Sequence, residues 1–92
     1  MNKATLAIEL ADALADYRRV VVRTTDREAK EDCLRLAEIT DKIIAAMQSG
    51  DDVEVKLGLL GFSRQVSDAF SSQPPEFKAL AGKIAELKRL MI

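Results

Sequence analysis

Apolar residues return along this chain at alternating intervals of three and four, in four separate stretches. Ala7, Leu10, Leu14, Tyr17 and Val21 form the first series, and Ala29, Cys33, Leu36, Thr40, Ile43 and Met47 the second, with Thr40 its one hydroxyl. Val55, Leu59, Phe62, Val66 and Ala69 make the third, and Phe77, Leu80, Ile84, Leu87 and Met91 the fourth. This spacing collects side chains on one stripe of a helix, whereas in a strand it would divide them between opposite faces. The expected fold is therefore all-α: an antiparallel four-helix bundle with helices at about 3–23, 26–49, 52–71 and 75–91. The 92 residues suit a single domain, 1–92, large enough to bury a core without disulfides or metals.

The helix ends have their own signals. Leu6, Ala13 and Val20 widen the first stripe, and the β-branched run Val20-Val21-Val22 followed by Thr24-Thr25 favours a stop. Thr25-Asp26-Arg27-Glu28 reads as a capping box, with Thr25 as the cap and Glu28 reaching back to it. Ala37 and Ile44 lie beside the second stripe, and Gly50 is the expected left-handed stop. Asp26–Lys30, Glu31–Arg35 and Glu38–Lys42 stand four apart and are expected to pair on its outer face. Asp51 or Asp52 can cap the third helix. Val53 to Leu57 alternates like a strand, and Gly58 and Gly61 weaken helix, yet a lone strand has nothing to pair with. Helix is the better reading, with the glycines marking a close crossing or a kink. In Ser71-Ser72-Gln73-Pro74-Pro75 a proline can occupy the first turn of the fourth helix, which Lys88 and Arg89 complement at its far end.

The formal net charge is −1. Residues 1–50 carry eight basic and nine acidic side chains and residues 51–92 six of each, so neither half projects the field that nucleic acid or an anionic membrane would require. The one cysteine, Cys33, excludes an internal disulfide and fits a reducing compartment. No apolar run approaches the roughly 20 residues of a membrane span, and acidic residues interrupt the start where a secretion signal would be apolar. A cytoplasmic protein is expected.

Residue types argue against catalysis. Without histidine, the usual general base and the commonest metal ligand are missing. Cys33 falls on an inner stripe as a small core residue, and Ser63, Ser67, Ser71 and Ser72 have no base or nucleophile elbow beside them. Asp51-Asp52-Val53-Glu54 lacks the ligand spacing of a calcium loop and serves better as a cap. Gly58 and Gly61 are not followed by the Lys-Ser/Thr of a phosphate loop. No catalytic, metal-binding or cofactor-binding residue is assigned, and a non-enzymatic protein is expected. Arg18, Arg19, Arg23 and Arg27 gather near the first hairpin tip and form an alternative, nucleic-acid-binding patch, although Asp16 and Asp26 dilute it. Leu90-Met91-Ile92 is an apolar terminal segment that packs beneath the bundle or, with Leu34, Ile39 and Leu59, offers a surface to a partner or a second copy of the chain.

The second half carries a further order: a helix ending AMQSGDD, a helix LGLLGFSRQVSDAF, a proline-containing turn and FKALAGKIAELKRL. Over roughly residues 36–90 this resembles the cytosolic immunity proteins that protect producers of pediocin-like bacteriocins. The resemblance implies an antiparallel four-helix bundle acting from inside the cell, shielding a sugar-transporter receptor complex in the membrane, with the C-terminal half setting recognition. The chain departs from that family in having less lysine and in stopping within the fourth helix. The resemblance thus implies a partner-facing surface on the third and fourth helices, drawn from the exposed members of Lys56, Arg64, Lys78, Lys83, Lys88 and Arg89, to which the apolar segment Leu90, Met91 and Ile92 is added on its own chemistry. The alternatives are a homodimeric structural or regulatory accessory protein and the arginine-tip nucleic-acid binder.

Overall fold

Asn2 stands in extended conformation and its side chain accepts the Thr5 N–H at 2.8 Å, which starts the first helix. The computed structural model describes residues 2–69 and 73–91. These hold four helices: α1 (Lys3–Val21), α2 (Arg27–Ser49), α3 (Asp52–Ala69) and α4 (Phe77–Met91). No strand occurs among the described residues, and Val53 to Leu57 is continuous helix despite its alternating pattern. The far end expected for the third helix, together with Ser71, Ser72 and Ile92, lies outside the described residues.

Two caps differ from expectation. Asp26, not Thr25, begins α2: its carboxylate accepts the N–H groups of Glu28 at 3.0 Å and Ala29 at 3.3 Å. A carboxylate one residue closer to the helix serves two orphan donors and carries the negative charge that the helix start favours. Pro74 and Pro75 precede α4 rather than occupying its first turn, their carbonyls accepting from Phe77 and Lys78. Elsewhere the signals hold. Gly50 adopts φ +75° after α2, and Asp51 accepts the Glu54 N–H at 3.1 Å to begin α3. The expected i,i+4 pairs of α2 do not form among the described residues: Asp26 serves as the cap, Glu31 bonds Arg27 and Arg35 bonds Asp32 instead of each other, and Glu38 and Lys42 stay apart.

The stripes meet in one core. Leu6, Leu10, Tyr17 and Val21 of α1, Leu36 and Ile43 of α2, and Leu80 and Leu87 of α4 are wholly shielded from solvent. Each large apolar side chain so buried contributes about 1.5–3 kcal/mol relative to exposure, partly offset by lost chain entropy. Thr40, buried among them, returns its hydroxyl to the Leu36 carbonyl at 2.8 Å, so its polarity is satisfied within the helix. The helices pack in the order α3, α2, α1, α4, with α3 and α4 touching each other least. From α1, Glu9 bonds Lys83 of α4 and Tyr17 bonds Gln73 just ahead of that helix, so the contacts run in opposite chain order, as antiparallel neighbours require. Gly58 makes the close crossing expected of it: a Cβ there would stand 2.5 Å from Ile43 Cγ1, so α3 approaches α2 nearer than any side chain would permit. Gly61 leaves ordinary space, 3.8 Å to Ile39.

Candidate functional site

Of the helix pairs that pack together, α3 and α4 make the weakest seam. Members of both inner stripes border this seam: Leu59, Phe62 and Val66 of α3, and Phe77, Ile84 and Met91 of α4. Phe62 and Phe77 stack across the seam, ring centres 6.4 Å apart and planes 9° from parallel. Along the gap runs an open groove in two adjoining sections. One, of ≈ 430 Å³, is lined by Lys56, Leu59, Leu60, Ser63, Lys88 and Met91. The other, of ≈ 340 Å³, continues along Phe62, Val66, Phe77, Ala81 and Ile84. Lys88 reaches across and donates to Ser63 Oγ at 2.8 Å. Among the described residues, Lys56 and Lys88 are the only charged side chains in the lining, and neither has a carboxylate partner. The arrangement can receive an apolar segment and balance negative charge beside it.

The positions expected to face a partner divide. Lys56, Lys88 and Met91 border the groove. Arg64 stands further along α3, in a neighbouring hollow with Leu60, Ser67 and Asp68, and Lys78 lies at the α4 start beside Gln73 and Pro75. Lys83 turns away to α1, where it bonds Glu9 at 2.5 Å with Glu86 at 3.8 Å; the Glu9 bond keeps its ammonium above the usual lysine range. Arg89 is exposed on α4. Leu90 is 42% exposed and Met91 is partly buried against the core, so the apolar end divides between the two fates considered for it. At the other end of the molecule, Arg18 bonds Asp41, Arg19 bonds Asp16 and Arg27 bonds Glu31, leaving Arg23 as the member of that patch without an ion pair among the described residues.

Two features escaped sequence reasoning. One is a buried polar node. Tyr17 of α1, fully shielded, donates to Gln73 Oε1 at 2.6 Å, and the Cys33 thiol of α2 approaches the same oxygen at 3.8 Å. Burial pushes the phenol well above its ordinary pKa, and the adjacent thiol adds to the effect. Gln73 thereby ties the α3–α4 connection to the first hairpin. A tyrosine on an inner stripe must find a partner for its hydroxyl, but nothing local identifies a glutamine 56 residues away. The other is the apolar outer side of α3, where Val53, Leu57 and Leu60 are 67%, 55% and 57% exposed. Their spacing of four and three was the available signal.

By fold and site, the molecule is a small all-α protein of four helices with an apolar groove open along one seam. Comparison with protein-family models, with curated proteins and with solved structures finds no match. Among the described residues no helix is long and apolar enough to cross a membrane, and no three potential ligands gather to hold a metal ion.

Proposed function

We propose that this protein is a non-enzymatic binding module that receives an amphipathic, acidic-flanked helix of a protein partner in the groove between α3 and α4. The observation that carries the reading is the lining: apolar side chains from both helices, with Lys56 and Lys88 as its charges and no carboxylate among the described residues. A helix entering such a groove buries one stripe of anchors at i, i+3 or i+4, and i+7. Carboxylates on its flanks meet the two lysines, which speeds encounter and fixes orientation more than it adds affinity.

Selection of displayed helical peptides against the protein tests this directly. Peptides with one apolar stripe flanked by Asp or Glu should be enriched, and Lys56→Glu with Lys88→Glu should weaken their binding about tenfold or more. Enrichment of basic peptides, or binding indifferent to both substitutions, overturns the reading.

In its narrower form the module is an immunity protein that engages a membrane receptor complex from the cytosolic side and blocks a pediocin-like bacteriocin. The four-helix layout and the resemblance across residues 36–90 support it. Bacteria sensitive to such toxins should survive better when they produce the chain, and unaltered sensitivity to a broad panel would remove the narrower form while leaving the groove reading intact.

A further inference from the structure

Helix α3 is apolar on two opposite faces. Its inner stripe, Val55, Leu59, Phe62 and Val66, packs into the bundle. Val53, Leu57, Leu60 and Arg64 repeat the same intervals two residues earlier, and two residues correspond to about 200° of helical rotation, so this second stripe faces outwards. Three of its four members are large apolar side chains more than half exposed. An aqueous face of this kind marks a surface that something covers.

We propose that the cover is a second copy of the chain, its α3 lying antiparallel on this one about a two-fold axis that passes between positions 58 and 59. That register sets Leu57 against Leu60 of the partner subunit and Val53 along the aliphatic stem of the partner's Arg64. It also brings the Arg64 guanidinium to the partner's Glu54. Arg64 and Glu54 are exposed, and neither has an ion pair within its own chain among the described residues. Each end of the stripe thus carries the charge that the other needs, and a two-fold interface satisfies both at once. Competing arrangements lack this. Centring the axis on Leu60 would oppose Lys56 with Arg64 and Asp52 with Asp68, and parallel helices would set every charge against its like. The surface lies outside the groove except at Leu60 and goes beyond the reading that the groove supports.

Sedimentation of the full chain from about 5 to 500 μM tests it, since a single-helix interface falls among the small and weak ones. Reversible dimerisation with a Kd on the order of tens of micromolar is expected. Leu57→Asp, at an exposed position that lines neither section of the groove, should abolish it. Arg64→Glu should weaken it about tenfold, and Glu54→Arg likewise, while the double exchange restores most of the loss. Circular dichroism of each variant establishes that it is folded. A monomer throughout the range overturns the proposal, as does a dimer insensitive to Leu57→Asp or one that the double exchange fails to restore.

Discussion

Two glycines in helices give opposite answers to the same substitution. Relative to alanine, an exposed helical glycine costs about 1 kcal/mol in lost backbone freedom and helix propensity. At Gly82 of α4 an added Cβ would meet nothing within 4 Å among the described residues beyond its own stretch of helix, so Gly82→Ala should stabilise the protein by about 0.5–1 kcal/mol. At Gly58 the added carbon would stand 2.5 Å from Ile43 Cγ1. That atom sits next to the branched Cβ of a wholly buried residue and cannot swing aside as the tip of a longer side chain would. Overpacking of this kind costs about 1–3 kcal/mol and exceeds the propensity gain. Gly58→Ala should therefore lower the midpoint of urea denaturation while Gly82→Ala raises it. Equal stabilisation by both would mean that α3 and α2 are not in close contact at this crossing.

Helix termini decide how much of the layout can be read from the chain. Asp26 bonds two N–H groups of α2, whereas Thr25 precedes the cap and is exposed. Asp26→Ala should accordingly cost about 1 kcal/mol in urea denaturation and Thr25→Ala almost nothing, and the reverse order would restore the capping box. The sequence pattern Thr-Asp-x-Glu permits either cap, because both side chains can accept the same donors and only the path of the chain into the helix chooses between them. The four stripes were legible because burial of one face repeats over each whole helix; the cap was not, because it turns on one residue. The groove itself was not legible. Lys56, Lys88 and Met91 were anticipated on the third and fourth helices, but Leu60 and Ser63 became its lining through the width of the α3–α4 seam. The spacing of apolar residues specifies which sides of helices meet, and carries little information about how closely two neighbours approach.

At the scale of the molecule, Tyr17 adds a polar link to the packing: from α1 it bonds Gln73 in the α3–α4 connection, whose same oxygen is approached by Cys33 of α2. Its ionisation should consequently be that of the whole fold. Burial raises the phenol pKa in the native state above its unfolded value of about 10, with Cys33 pushing the same way. Below that pH both states keep the proton and the hydroxyl contributes its full stabilisation. Above it the unfolded chain releases a proton that the native protein retains, so stability falls by about 1.4 kcal/mol per pH unit. The Lys83 ammonium, held protonated chiefly by its bond to Glu9, adds loss in the same alkaline window, above its unfolded pKa of about 10.4. Tyr17 is the only tyrosine and there is no tryptophan, so tyrosinate absorbance follows this one group. It should appear together with the loss of helical circular dichroism, at a pH well above 10. Tyr17→Phe should cost about 1 kcal/mol at neutral pH by leaving the Gln73 carbonyl one donor short, yet should flatten the decline at high pH. Tyrosinate forming with a midpoint near pH 10 while the helices remain intact would show that the phenol is open to water, and that the three elements are not joined through it.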